Sequence, residues 1–367
     1  MKIVLIGPFP PYRGGISMFN HSLAKELEKN NQVYRISFSL QYPHLLFPGK
    51  SQFFDFNGDS SKKMINSISP FSWSSTASYI NSINPDLVIF QYWMPFFAPA
   101  FSSIASKIKK TIDAKIVVNC NNVIPHESGR LDKYLSLRFF KHCDYFIVMA
   151  NSVKKELLNL MPSANLIESK HPIYDTFGNS ISKEEARKSI SINDERIILN
   201  FGLIRDYKGL DILIKASKYL KGKLENFKIV VVGECYNGQR QYLELAKKMD
   251  VTDCIDFKFE FISNKDVSKY FCAADVVVLP YRSSTQSGII PIAYHFNKPV
   301  VTTNVGGLAE CVKQAKTGFI CNPDSQGVSK GLLDFFKSNE NFSKNVSEYK
   351  KQFTWEAYVN NIISVIK

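Results

Sequence analysis

Short apolar runs closed by Gly, Pro or Asn alternate along this chain with longer segments whose apolar positions recur every three or four residues. The first kind reads as a strand buried on both faces, the second as an amphipathic helix packed over it. In the first half, Ile3–Ile6, Val33–Phe38, Leu87–Phe90, Lys115–Asn119 and Tyr145–Val148 read as strands. Helices are predicted from Ile16 to about Lys29, from Ala98 to Lys110, over Asp132–His142 and from Ser152. Residues 40–75, rich in Ser, Pro and aromatics without a clean period, read as mostly loop. A Pro- and Gly-containing stretch, His171–Gly178, is the candidate linker. The alternation then restarts, with strands at Ile197–Phe201, Ile229–Val232, Ile255–Phe257, Val276–Leu279, Val300-Val301 and Gly318–Ile320. Helices are expected from Leu210 and over Tyr242–Lys248, Lys265–Cys272, Ile289–Phe296, Val328–Lys337 and Trp355–Ile366. The pattern predicts α/β domains with parallel sheets, spanning 1–172 and 179–350.

Asp275–Glu310 states the pattern most fully. A Val-rich strand leads into the small-residue loop Ser283–Gly288, then a helix, a second strand and the glycine turn Asn304–Glu310. This is a βαβ unit. Its loop lies at the carboxyl end of a strand, where N–H groups opening the helix are available to an anion. A phosphate-bearing ligand is the first expectation.

Composition narrows this picture. A chain of 367 residues suits two domains, and 45% hydrophobic residues exclude general disorder. The net charge of +13 is spread over both halves without a long basic block. That favours anionic ligands or a lipid surface, and with no nucleic-acid-binding motif no nucleic-acid partner is expected. Seven scattered cysteines without a Cys-x-x-Cys pair read as reduced core thiols, not a disulfide or zinc framework. The opening apolar run is too short for a secretory leader, and none nears the roughly 18 residues of a membrane span. A soluble cytoplasmic protein is expected.

Several residues stand out at strand ends. Gly14-Gly15 precedes a helix after the first strand and permits close backbone approach by a ligand, or an ordinary turn. Arg205 and Lys208 bracket a strand-to-helix turn, where two cations repel each other and oppose the helix dipole. An anion held between them relieves both penalties. Glu234 follows a strand and a glycine, placed to accept from a ribose or sugar hydroxyl. His126 is a candidate acid/base or hydroxyl ligand. Trp93, Phe96 and Phe97 share one loop, where they either stack on a sugar or lipid or roof the core. Phe101, Ile104, Ala105 and Ile108 have helical spacing suited to packing on the sheet.

With these residues laid out, the chain resembles a family 4, group 1 retaining glycosyltransferase of the GT-B fold, in a branch of bacterial surface-polysaccharide enzymes. The resemblance rests on Gly14-Gly15, Val88–Pro99, Asn122–Glu127, Phe201–Asp211, Leu279–Gly288 and Val305–Leu308. It implies two Rossmann-like domains facing a cleft, with helix 355–367 crossing back onto the first. The C-terminal domain would hold a nucleotide-diphosphate sugar as co-substrate, with no metal. Arg205 and Lys208 match the diphosphate grip and the catalytic charges; Gln286, Ser287, Gly288 and Ile289 match the loop that completes it; Gly14 and Gly15 match the glycine loop opposite. On the acceptor side the candidates are Trp93, Phe96, Phe97 and Asn122, for a glycan or polyprenyl-linked acceptor at the inner face of the plasma membrane. Ser284 and Ile292 stand where the wider family has two glutamates, leaving Glu234 and Glu310 as the acids for donor contacts. Asn121 and Met94 replace family histidines, so His126 is the histidine that remains. A nucleotide-sugar epimerase and a non-catalytic nucleotide-sugar-binding subunit are the alternative readings on this scaffold.

Overall fold

The structure, a computed structural model, describes residues 1–366 apart from 44–50, 57, 59–60, 124–128, 175, 193–194 and 236–237. The chain divides into two compact units, Met1–Pro172 with Phe353–Lys367, and Ile173–Gln352.

The first unit runs β1 (Lys2–Ile6), α1 (Gly15–Glu28), β2 (Gln32–Leu40), β3 (Lys62–Asn66), α2 (Pro70–Ile83), β4 (Leu87–Tyr92), α3 (Ala98–Thr111), β5 (Lys115–Cys120), α4 (Arg130–Phe140), β6 (Tyr145–Val148), α5 (Asn151–Leu160) and β7 (Leu166–Glu168). Its parallel sheet has the order β3-β2-β1-β4-β5-β6-β7, so the direction of winding reverses between β1 and β4. The apolar strands are covered on both faces, as their composition requires. Phe101, Ile104, Ala105 and Ile108 are fully buried, so α3 packs on the sheet as its spacing predicts.

The expectation of loop over 40–75 fails at β3 and at the start of α2. β3 is an edge strand, KKMIN, in which Ile65 is the one fully covered residue, so no apolar run marks it. The α2 sequence is Ser-rich, with low intrinsic preference for helix. It is held by Pro70 in its first turn and by burial of Thr76, Ala77, Ile80 and Ile83. Tertiary packing decides the conformation there.

The second unit runs α6 (Lys183–Ser189), β8 (Arg196–Phe201), α7 (Leu210–Leu220), β9 (Phe227–Val232), α8 (Gln239–Met249), β10 (Ile255–Lys258), α9 (Val267–Ala273), β11 (Val276–Leu279), α10 (Ile289–His295), β12 (Val300–Thr303), β13 (Gly318–Cys321), α11 (Ser325–Lys337) and α12 (Phe342–Tyr349). The parallel order β10-β9-β8-β11-β12-β13 reverses between β8 and β11. Asp275, at the entrance to β11, accepts from the Ile197 backbone N–H at 2.7 Å and pairs with Arg187 at 2.9 Å and with Lys183. It thereby joins α6 to the two central strands.

The chain ends in α13 (Trp355–Ile363), capped by Thr354, which accepts from the Ala357 N–H. Trp355 and Tyr358 meet Phe19 of α1 edge-on, with ring centroids at 4.9 and 5.5 Å, which makes α13 part of the first unit. Among the described residues no helix is long and apolar enough to cross a membrane.

Candidate functional site

The reversal points β1/β4 and β8/β11 are where an open α/β sheet forms a crevice beyond its carboxyl ends. In the second unit this is the place where β8 runs out into Gly202. That residue has φ +106°, and a Cβ on it would lie 3.1 Å from Ile289 Cδ1 and 3.5 Å from Lys208 Nζ. The backbone after β8, the lysine head and the first residue of α10 therefore meet at one point. Arg205 opens the turn Asp206–Lys208, which closes at Gly209 with φ +67°. A Cβ on Gly209 would stand 2.0 Å from the Pro280 carbonyl, so only glycine lets this turn rest on the end of β11.

Arg282 fixes the two loops to each other. Its guanidinium donates to the Asp206 carbonyl at 2.7 Å and to Asp211 Oδ2 at 2.6 Å, and its N–H donates to the Tyr207 carbonyl at 2.7 Å. Burial opposes charge on Asp211, but the hydrogen bonds and charges of Arg282 and Lys215 hold its carboxyl below the usual value. The loop 283–288 has a second support. The Gly307 N–H donates to the Thr285 carbonyl at 3.0 Å, and a Cβ on Gly306 would lie 1.5 Å from the Ser284 carbonyl oxygen. Ser287 Oγ accepts from the Ile289 N–H at 3.2 Å at the start of α10. This brings Gln286, Ser287, Gly288 and Ile289 to the end of the sheet where Lys208 lies.

Lys208 is partly buried, with its ammonium 5.5 Å from the Tyr281 ring centroid. Desolvation pushes its pKa below the usual lysine value; the neighbouring Tyr207 opposes this and the Arg205 charge adds to it. The site thus brings together two cations that repel each other, a penalty that a bound anion would relieve. Glu234 follows β9, and its carbonyl accepts from the Ile204 N–H at 2.9 Å, which sets it beside the Arg205 turn. Glu310 is exposed, in the short turn Ala309–Cys311 that follows Gly306-Gly307.

The first unit holds the remaining candidates. Gly14, with φ +119°, and Gly15 are exposed at the N-terminus of α1, and a Cβ on Gly14 would meet nothing within 4 Å. Asn122 is partly buried just after β5; His126 lies outside the described residues. The aromatic loop needs a correction. Phe97 is fully buried against Trp93 (4.3 Å between centroids), Phe38 and Phe101, so it packs the core and presents no surface to an acceptor. Trp93 donates its indole N–H to Tyr42 Oη at 3.1 Å, and Phe96 stacks on Tyr42 at 5.9 Å; both keep partial exposure.

The sequence reading passed over a polar floor at the β1/β4 reversal. Gln91 and Asn119 are cross-strand neighbours, both fully buried, and Gln91 Oε1 accepts from Asn119 at 2.7 Å and from Asn121 at 3.1 Å. Gly7 is the neighbour of this pair, since a Cβ on it would collide with Asn20 and Gln91. The available signal was two amides at the ends of otherwise apolar strands. Arg282, three residues past the end of β11, is likewise given no role of its own by the sequence.

Residues 182–353 match the family model for glycosyl transferases group 1. The second unit is a group 1 glycosyltransferase domain. Over 304 residues the chain is 28% identical to an uncharacterised glycosyltransferase of Methanocaldococcus jannaschii, covering 77% of this chain and 75% of that protein. Over 147 residues it is 28% identical to the lipopolysaccharide 1,2-N-acetylglucosaminetransferase of Salmonella typhimurium, covering 37% and 38% of the two chains. The chain spans between 55% and 75% of the length of the first three curated relatives it matches. Anabaena HepE, solved in complex with UDP, superposes over all of both chains with a TM-score of 0.76 at 14% identity. The two Rossmann-like units of this chain are those of the GT-B fold.

Lys208 of the glycosyltransferase domain leads to a pH prediction. An anionic ligand requires the ammonium form, whose pKa is lowered in the free protein. As pH rises through that lowered value, binding must take up a proton, and affinity falls by up to about tenfold per pH unit. Calorimetric titration of a nucleoside diphosphate sugar from neutral to alkaline pH should show this limb beginning below the ordinary lysine range. Lys208→Arg should remove it.

Proposed function

We propose that the protein transfers a sugar from a nucleoside diphosphate sugar to a glycan or lipid-linked acceptor, with retention of anomeric configuration, in the synthesis of a surface polysaccharide. The observation that carries this reading is the Arg205–Lys208 turn, held by Gly209 and Arg282 against the 283–288 loop in a group 1 glycosyltransferase domain. The UDP complex of HepE and the lipopolysaccharide transferase of Salmonella support the donor class and the pathway type. Arg205 and Lys208 grip the diphosphate and stabilise the charge that develops on it as the bond from the sugar's anomeric carbon to the diphosphate oxygen breaks. The acceptor oxygen attacks from the same face, and its proton passes to the departing diphosphate. No protein nucleophile is used, and the two cations do the neutralising that a metal would otherwise do. Glu234 and Glu310 are the acids available to hydroxyls of the ribose or sugar. Transfer to a lipid-linked acceptor places the protein at the inner membrane face, bound peripherally.

The test is thermal stabilisation by a panel of UDP-, GDP-, ADP- and TDP-sugars, on wild type and Arg205→Ala. A rise with one donor, lost in the variant, is expected. A folded wild type that responds to none of them sinks the reading.

A further inference from the structure

α2, α3 and α4 each follow a strand of the same parallel sheet, so all three start at its carboxyl end. They pack side by side, α2 on α3 and α3 on α4. The outer face of α4 is unlike that of an ordinary surface helix. Leu131 and Tyr134 are 66% and 61% exposed one turn apart, and Leu137 extends the ridge by another turn. Lys110 of α3 and Arg138 and Lys141 of α4 are all exposed, and among the described residues none has an ion-pair partner. All three charges act on His142, whose pKa is lowered first by burial and then by Lys141, Arg138 and Lys110.

We propose that this face of the first unit docks on an anionic phospholipid surface, with the α4 ridge entering the headgroup boundary and the basic cluster contacting lipid phosphates. Apolar and aromatic residues beside lysine and arginine are what an interfacial helix uses. The charge of the chain, +13, is complementary to anionic lipid. A protein partner fits less well. Stable interfaces bury about 800 Å² per side and are depleted in lysine, whereas three apolar side chains with a basic cluster at one end offer a small, charged patch. The inference deepens the membrane-associated reading above, on which it rests, by naming the surface.

The experiment is co-sedimentation of the full chain with phosphatidylcholine vesicles, with and without about 30% phosphatidylglycerol. It is run on wild type and on Leu131→Glu/Tyr134→Glu, two exposed positions outside the donor site. Wild type is expected to bind the anionic vesicles alone, more weakly as salt rises, and the double variant to bind about tenfold less tightly or worse. Wild type that ignores anionic vesicles, or a variant that binds them equally well, overturns the proposal. So does wild type that ignores vesicles and self-associates in sedimentation velocity while the variant stays monomeric, which assigns the face to a second copy. Donor-induced thermal shift, measured on the same samples without vesicles, separates this failure from failure of the transferase reading, since the variant should keep the wild-type shift.

Discussion

Lys208→Ala is expected to lower kcat/KM by roughly a hundredfold to a thousandfold, the usual loss when one preorganised charge facing a developing anion is removed. Its melting temperature should be unchanged or higher. The two effects have one origin. Without a ligand, Lys208 is a desolvated cation close to Arg205, an arrangement that opposes folding and exists for the anion. Because its pKa is lowered in the folded protein, the charged form is the destabilised one. The stability gained by the variant is therefore largest at neutral pH and shrinks as pH rises through that lowered value. A parallel loss of activity and stability would instead mark Lys208 as a structural residue. Steady-state kinetics with the donor from the panel, beside thermal melts at neutral and alkaline pH, decide between the two.

Gly306→Ala is the second large effect, and it acts without touching any charged group. Gly306 has φ +49°, and an added Cβ would fall 1.5 Å from the Ser284 carbonyl oxygen. The obstacle is backbone, so the 283–288 loop must move off the β12 turn. Alanine tolerates the left-handed conformation at a cost of about 1 kcal/mol, and most of the penalty comes from displacing the loop. Donor affinity should fall at least about tenfold while far-UV circular dichroism stays native, because a displacement near 1 Å is enough to spoil such a site. Retained affinity would show that loop 283–288 is not part of the donor site.

Legibility in the sequence followed the physics of each segment. Val276–Leu279 was readable because a strand covered on both faces must be apolar throughout, and Arg205 with Lys208 because two cations at one turn need a reason. β3 was not, since an edge strand with one fully covered residue carries no such run. Gly209 and Gly306 were visible as turn residues, yet their importance depends on the carbonyls of Pro280 and Ser284, distant in sequence. Phe97 shows the converse: an aromatic cluster gives no sign of which ring faces inward until its neighbours Phe38 and Phe101 are in place.

The return of the chain has a consequence for synthesis. Phe19 of α1 is covered by Trp355 and Tyr358, so α1 waits for α13, made more than 300 residues later, to complete its contacts. The group 1 domain, being continuous, can close during translation, whereas the unit whose first part precedes it is completed only after it. A stop codon shortly before Trp355 would thus damage the unit built from residues 1–172, and that unit produced separately needs residues 353–367 joined back onto it.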